Sequence, residues 1–111
     1  MRRPIIKPLK LVITDTAKAD LKLIRTYIAK ENPQAARDFV KDLIDKLFRL
    51  AETGITGSPR DWIKPDLRCF PYRERCFYFR IIDDTLFVIR VLHGKQDVNA
   101  QDFSYKTEPD E

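Results

Sequence analysis

Two strand-like runs separated by a pair of aspartates constrain the fold of this 111-residue chain more than any other feature. Residues 75–82 and 85–92 are rich in β-branched and aromatic side chains, which favour extended structure. Asp83-Asp84 lies between them, and a two-residue connection is typical of a tight hairpin turn. Residues 66–72 have the pattern of a third strand, interrupted by Pro71. The second half of the chain is therefore predicted to form an antiparallel sheet.

The first half of the chain has helical periodicity after a short strand predicted at residues 9–13. Thr14-Asp15-Thr16 supplies N-cap residues for a helix that runs to about Lys30. Asn32-Pro33 ends that helix and begins a second, amphipathic one, which Gly54 stops. The predicted order is β-α-α-β-β-β. This is an α+β domain in which an antiparallel two-helix hairpin packs on a twisted antiparallel sheet.

The hairpin register predicts which side chains share a face of the sheet. If Ile82 pairs with Thr85, Arg80 lies opposite Phe87 and Tyr78 lies opposite Ile89. One face then carries Cys76, Tyr78, Arg80, Phe87, Ile89, Val91 and His93. The other carries Arg75, Phe77, Phe79, Ile81, Val88 and Arg90. A bulge would move the side chains of one strand to the other face.

Length and composition limit the class of protein. With 43% hydrophobic and 34% charged residues, the chain has enough apolar material for one core and too much for disorder. No apolar run approaches the ~20 residues that a membrane-spanning helix needs. The basic start is too interrupted for a signal peptide, so we expect a cytoplasmic protein with no membrane partner. Residues 1–98 form the expected single domain, with 1–8 as an extension and 99–111 as an acidic, flexible tail.

The formal net charge of +4 is unevenly distributed. Residues 1–98 carry +7, from 20 basic and 13 acidic residues, whereas residues 99–111 carry −3. Arginine dominates the basic residues between 60 and 95, and its planar guanidinium binds phosphates and carboxylates bidentately. The charge therefore favours an anionic partner. Ordinary solubilising charge is the alternative.

The sequence contains none of the usual motifs of cofactor or metal chemistry. It has no phosphate-binding glycine loop and no serine nucleophile motif. Cys69 and Cys76, with one histidine in the chain, cannot form the usual four-ligand zinc site, and we interpret them as structural thiols. We predict no cofactor, no metal and no small-molecule substrate. His93 has two interpretations: a general acid or base, or a strand-end residue bonded to a carboxylate such as Asp97.

Several segments, taken in order, resemble the RelE/ParE toxin superfamily. They are residues 67–73, 77–84 and 89–97, preceded by a helical opening at residues 17–28. The strand that ends in Leu92-His93-Gly94, followed by Lys95 and Asp97, is similar to the ParE branch in particular. The resemblance covers roughly residues 9–98, and it implies two N-terminal helices on a twisted antiparallel sheet.

The resemblance implies a toxin of a type II toxin–antitoxin system, neutralised by a cognate acidic antitoxin. ParE-like members inhibit DNA gyrase without being enzymes, so they arrest growth, and their modules stabilise plasmids. RelE-like members are ribosome-dependent endoribonucleases that cut mRNA, and here Arg75, Arg80 and His93 would be the catalytic residues. A degenerate toxin kept only to bind its antitoxin is a third alternative.

The end of the last strand favours the gyrase inhibitor over the ribosomal nuclease. No tyrosine follows His93 directly, where some nuclease relatives carry one, and Tyr105 lies in the acidic tail. In the favoured interpretation the protein has no catalytic residue, and basic side chains of the sheet contact the target. The candidate target-binding residues are Arg73, Arg75, Arg80, Arg90, His93 and Lys95.

Overall fold

In the computed structural model, which describes residues 8–104, two helices pack on a five-stranded sheet. The elements are β1 (Lys10–Ile13), α1 (Asp15–Ala29), α2 (Pro33–Thr53), β2 (Ser58–Pro59), β3 (Arg68–Tyr72), β4 (Arg75–Ile82) and β5 (Thr85–His93), followed by a 3₁₀ turn at Val98–Ala100. The predicted α+β class is confirmed. Residues 1–7 of the expected extension and 105–111 of the expected tail lie outside the described residues. Neither described helix is long and apolar enough to cross a membrane.

The sheet is mixed, with the strand order β1-β5-β4-β3-β2. β1 lies parallel to β5, with Lys10 beside Thr85 and Ile13 beside Val88. The expectation of a wholly antiparallel sheet is therefore wrong for this strand. The helices and the other strands between β1 and β5 supply the long connection that a parallel pair requires. β2, within the loop predicted at residues 53–65, is a two-residue strand that the sequence analysis missed.

The helix boundaries follow the predicted capping residues. The Thr14 hydroxyl accepts the N–H of Ala17 at 3.3 Å and donates to the Val88 carbonyl at 2.7 Å, which ties the start of α1 to β5. The Asn32 side chain accepts the N–H of Ala35 at 3.0 Å and so caps α2. Gly54, with a φ of 68°, ends α2 in the left-handed conformation that glycine adopts readily.

The β4–β5 hairpin confirms the predicted turn. Asp83 and Asp84 both have positive φ, at 48° and 62°. This is the backbone signature of the two-residue type I′ turn. Ile82 pairs with Thr85 and Arg80 lies opposite Phe87, as the register predicted.

A β-bulge changes the register beyond Phe79. Tyr78 pairs with Arg90 instead of Ile89, so Ile89 is an extra residue in β5. Beyond the bulge, Phe77 pairs with Val91 and Arg75 pairs with His93. The predicted placement of Val91 and His93 on the face of Tyr78 is therefore wrong, because one inserted residue shifts all later positions of a strand to the other face.

Each face of the sheet has its own apolar cluster. The helix-covered face is filled by Ala17, Leu21, Leu43, Leu47, Leu50, Phe77, Phe79, Leu86, Val88 and Val91. A smaller cluster on the opposite face contains Leu67, Cys69, Tyr78, Ile89, Leu92 and Phe103. Cys69 and Cys76 are free thiols, and burial raises the pKa of Cys69 to about 11, which keeps it protonated near neutral pH.

Residues 99–104 belong to the folded domain. Phe103 is buried, with its ring edge-on to that of Tyr78 at a centroid distance of 5.2 Å. Lys64 Nζ donates to the Phe103 carbonyl at 3.0 Å, and Arg90 Nη1 donates to the Asp102 carbonyl at 2.9 Å. The described start of the expected tail thus packs on the domain, because its one large apolar side chain completes the second cluster, and the flexibility of the tail stays a prediction.

A buried ion pair joins α1 to β5. Asp20 is 8% exposed, and its carboxylate accepts from Arg90 Nε at 2.7 Å and from Arg90 Nη2 at 2.8 Å. The backbone N–H of Val91 donates to the same carboxylate at 2.9 Å. This pairing raises the pKa of Arg90. The carboxylate thus satisfies three donors of β5 at the position next to the bulge.

Replacing Asp20 by alanine should destabilise the domain strongly, because the Arg90 charge and the Val91 N–H would lose their acceptor. We expect a loss of about 3 kcal/mol in the free energy of unfolding, as for other broken buried pairs, measured by urea denaturation. The control is Asp45→Ala, which breaks the exposed pair with Lys41 and should cost less than about 1 kcal/mol. Equal losses in the two variants would contradict the structural role of Asp20.

Candidate functional site

Most of the predicted site residues meet at one end of the sheet. Arg75 begins β4 and His93 ends β5, and the register places them side by side. Both line two adjoining depressions of about 390 and 690 Å³, between the sheet and the C-terminal half of α1. We call this region the end groove and define it by Leu23, Tyr27, Phe39, Arg73, Arg75 and His93.

Two large apolar side chains of α1 border the end groove and are exposed. Leu23 is 68% and Tyr27 is 73% solvent-accessible, and they lie four residues apart on one helix face. They are separate from the buried stripe of the helix, which includes Ala17 and Leu21. The sequence analysis did not select them. Their position off the apolar stripe was the one signal that could have identified them.

The turn between β3 and β4 brings two arginines to the groove. The guanidinium groups of Arg73 and Arg75 lie over the Phe39 ring, at 4.8 and 5.6 Å from its centroid. Arg73 Nη1 donates to Asp42 at 2.8 Å, and the Tyr72 hydroxyl donates to the same oxygen at 2.9 Å. The bond from Arg73, followed by that from Tyr72, lowers the pKa of Asp42.

Arg75 has donor capacity that the described part of the fold does not use. Within residues 8–104, its Nε atom is buried and has no hydrogen-bond partner. The Phe39 ring supports the guanidinium without satisfying its N–H groups. A carboxylate or carbonyl oxygen of a partner would fit this group, because arginine presents its donors in a fixed fork.

His93 is held in one tautomer by its own turn. Its Nδ1 accepts the backbone N–H of Lys95 at 3.1 Å, and its backbone N–H donates to Gln96 Oε1 at 2.7 Å. The neutral imidazole therefore carries its proton on Nε2, which makes that atom a donor. His93 thus ends its strand in local hydrogen bonds, as the structural interpretation predicted, but within residues 8–104 its partners are Lys95 and Gln96, while Asp97 accepts the N–H of Asn99 at 3.0 Å.

Arg80 lies apart from the end groove, whereas Arg90 lines one of its two depressions and is held there by bonds within the fold. Arg80 is on the opposite face of β4 from Arg75 and forms an ion pair with Asp66 at 3.6 Å. Arg90 is engaged by Asp20 and by the Asp102 carbonyl. The structure thus brings Arg75 and His93 together but does not bring Arg80 to them. Lys95 follows directly in the turn beyond His93.

The groove combines exposed apolar groups with cations. Nowhere in residues 8–104 do three histidine, cysteine or acidic side chains cluster as metal ligands would. Tyrosine and arginine are enriched among the residues that dominate binding energy at protein interfaces. The arrangement is therefore suited to binding a partner surface.

A family model identifies the family, and a solved structure supports the fold. The model of the ParE toxin of the type II toxin–antitoxin system, parDE, matches residues 11–98. A solved structure described as the chromosomal ParDE TA system from P. aeruginosa is similar, with a TM-score of 0.65 and 23% sequence identity, over 77% of this chain and 95% of that chain. At this identity the likeness supports the fold. No curated protein matches the sequence.

The exposed residues of the groove should be dispensable for folding. Replacing Leu23 and Tyr27 by glutamine, a good helix former, should change the free energy of unfolding by less than about 0.5 kcal/mol per site. The neighbouring buried residue is the control, since Leu21→Ala should cost about 3 kcal/mol. Urea denaturation measures both. A large loss at Leu23 or Tyr27 would mean that these side chains serve the fold.

Proposed function

Because this chain belongs to the ParE toxin family of type II toxin–antitoxin systems, we propose that it inhibits DNA gyrase and thereby blocks replication and cell growth. The observation that carries the proposal is the family match over residues 11–98, which spans both helices and the strands from β2 to β5. We propose that it acts by binding its target and not by catalysis.

We propose that the end groove is the surface that contacts gyrase. Leu23 and Tyr27 offer apolar area that the domain leaves uncovered. Five of the six predicted target-binding residues lie in or beside the groove, namely Arg73, Arg75, Arg90, His93 and Lys95. Arg80 and Arg90 are assigned to ion pairs within the fold, with Asp66 and Asp20.

An acidic antitoxin is the proposed neutralising partner. The net charge of +7 on residues 1–98 favours an acidic binding partner, because opposite charges attract each other and speed up association. A disordered acidic segment that folds on binding could cover a large part of this small domain. Its gene would be a short acidic reading frame beside this one. Adding the purified product of that frame should restore gyrase activity.

The nuclease alternative is less well supported by the geometry. It requires Arg75, Arg80 and His93 around one scissile phosphate. Arg80 lies on the other face of the sheet from Arg75, so a phosphate beside Arg75 and His93 is out of its reach. The proposed function therefore keeps Arg75 and His93 as binding residues.

Purified protein incubated with gyrase, ATP and relaxed plasmid should inhibit supercoiling and accumulate cleaved complexes. Tyr27→Gln and Arg75→Gln should each lower the potency by at least about 10-fold, since aromatic and arginine contacts often contribute more than 1.4 kcal/mol at interfaces. Arg80→Gln, which also removes one positive charge but lies on the opposite face, is the matched control and should change potency less than about 3-fold.

Failure to inhibit gyrase would contradict the proposal. Equal losses in the groove variants and in Arg80→Gln would contradict the assignment of the groove. Ribosome-dependent mRNA cleavage that falls about 100-fold in His93→Ala would support the nuclease alternative instead.

A further inference from the structure

A second exposed stripe of α1 is cationic. Lys18, Lys22 and Arg25 recur at helical spacing, and they cover about 10 Å of the helix at 1.5 Å per residue. They border a shallow depression between α1 and α2. A neighbouring depression of about 460 Å³ adds Lys30 and Arg37 at the turn between the helices. We call these five exposed residues the hairpin stripe.

The described part of the fold leaves this positive charge unneutralised. Within residues 8–104, Lys18, Lys22 and Arg25 form no ion pair, and neither does Lys30. Arg37 donates to Gln34 at 2.7 Å, which leaves its charge uncompensated. Three of the four arginines that the sequence analysis selected as target-binding candidates, by contrast, each have a carboxylate partner, namely Arg73, Arg80 and Arg90.

The residue composition of the stripe is closer to that of a phosphate-binding surface than to that of a protein interface. The apolar residues beneath the depression offer little exposed area to a protein partner, because Leu21 is buried and Val40 and Ile44 are half-buried. The stripe also has no aromatic side chain, whereas the cores of protein interfaces are enriched in aromatic residues. Interfaces with DNA are more polar and much more positively charged.

We propose that the hairpin stripe binds the phosphate backbone of duplex DNA without reading its base sequence. Lysine and arginine side chains supply this sequence-independent affinity by releasing the counterions condensed on the phosphates. No side chain of the stripe has a fixed orientation for base recognition, since only Arg37 makes a hydrogen bond within the described residues. The inference does not depend on gyrase as the target.

The stripe and the end groove are accessible at the same time. Lys22 and Tyr27 lie about 140° apart around the axis of α1, at 100° per residue. The groove side of the helix faces the ends of β4 and β5, and the stripe side faces α2. One helix thus separates a surface for a protein from a surface for DNA.

Fluorescence anisotropy with the full chain and a labelled duplex of about 20 base pairs tests the proposal. We expect binding whose logarithmic salt dependence has a slope of about −3 to −5, since each phosphate contact contributes about −0.9. The double variant Lys22→Glu/Arg25→Glu should lose at least about 10-fold in affinity at ~50 mM salt and reduce the slope by about 2.

The control is Lys10→Glu/Arg49→Glu, which makes the same change in net charge at exposed positions outside the stripe and outside the end groove. It should change the affinity less than about 3-fold, because charges beyond a Debye length are screened. Circular dichroism verifies that both variants fold. Equal losses in the two double variants would overturn the proposal, and so would binding of a polyglutamate peptide to the stripe without binding of the duplex.

Discussion

The carboxylate of Asp20 is the interaction on which the arrangement of this domain depends. It accepts two bonds from Arg90 and one from the backbone of Val91, and it is nearly buried. Arg90 also holds the Asp102 carbonyl, so one guanidinium connects α1, β5 and the C-terminal segment. The three directed hydrogen bonds of this carboxylate fix the rotation of α1 about its own axis. The contact therefore determines which faces of α1 are exposed. The groove and the cationic stripe both follow from it.

The bulge in β5 is the feature of the site that sequence patterns could not predict. The helices, their caps, the hairpin turn and four of the five strands were predictable, because each depends on residues close together in the chain. The register beyond Phe79 was not, since an inserted residue at Ile89 depends on packing of both faces and has no local signature. That single residue places His93 beside Arg75, where the regular register had put them on opposite faces.

The amount of positive charge could be read from the sequence, but which charged side chains pair with each other in the fold could not. The sequence analysis assigned the arginines of residues 60–95 to an anionic partner, yet three of them are paired with carboxylates in the fold. Their partners, Asp20, Asp42 and Asp66, are distant in sequence or separated by a turn, so no spacing rule connects them. Within residues 8–104 the cations of the hairpin stripe have no carboxylate partner, and composition alone could not distinguish that stripe from an ordinary solvated face.

The parallel contact between β1 and β5 has a consequence for synthesis of the chain. Lys10 needs Thr85 as its neighbour, and the Asp20 carboxylate needs Arg90, so β1 and this buried carboxylate of α1 lack their partners until β5 has left the ribosome. Such long-range pairing makes folding slow compared with a helical bundle of this size. The end groove is likewise assembled from both halves of the chain, so an incomplete nascent chain cannot present it. A cell that makes this protein is exposed to that surface only after the last strand has joined the sheet.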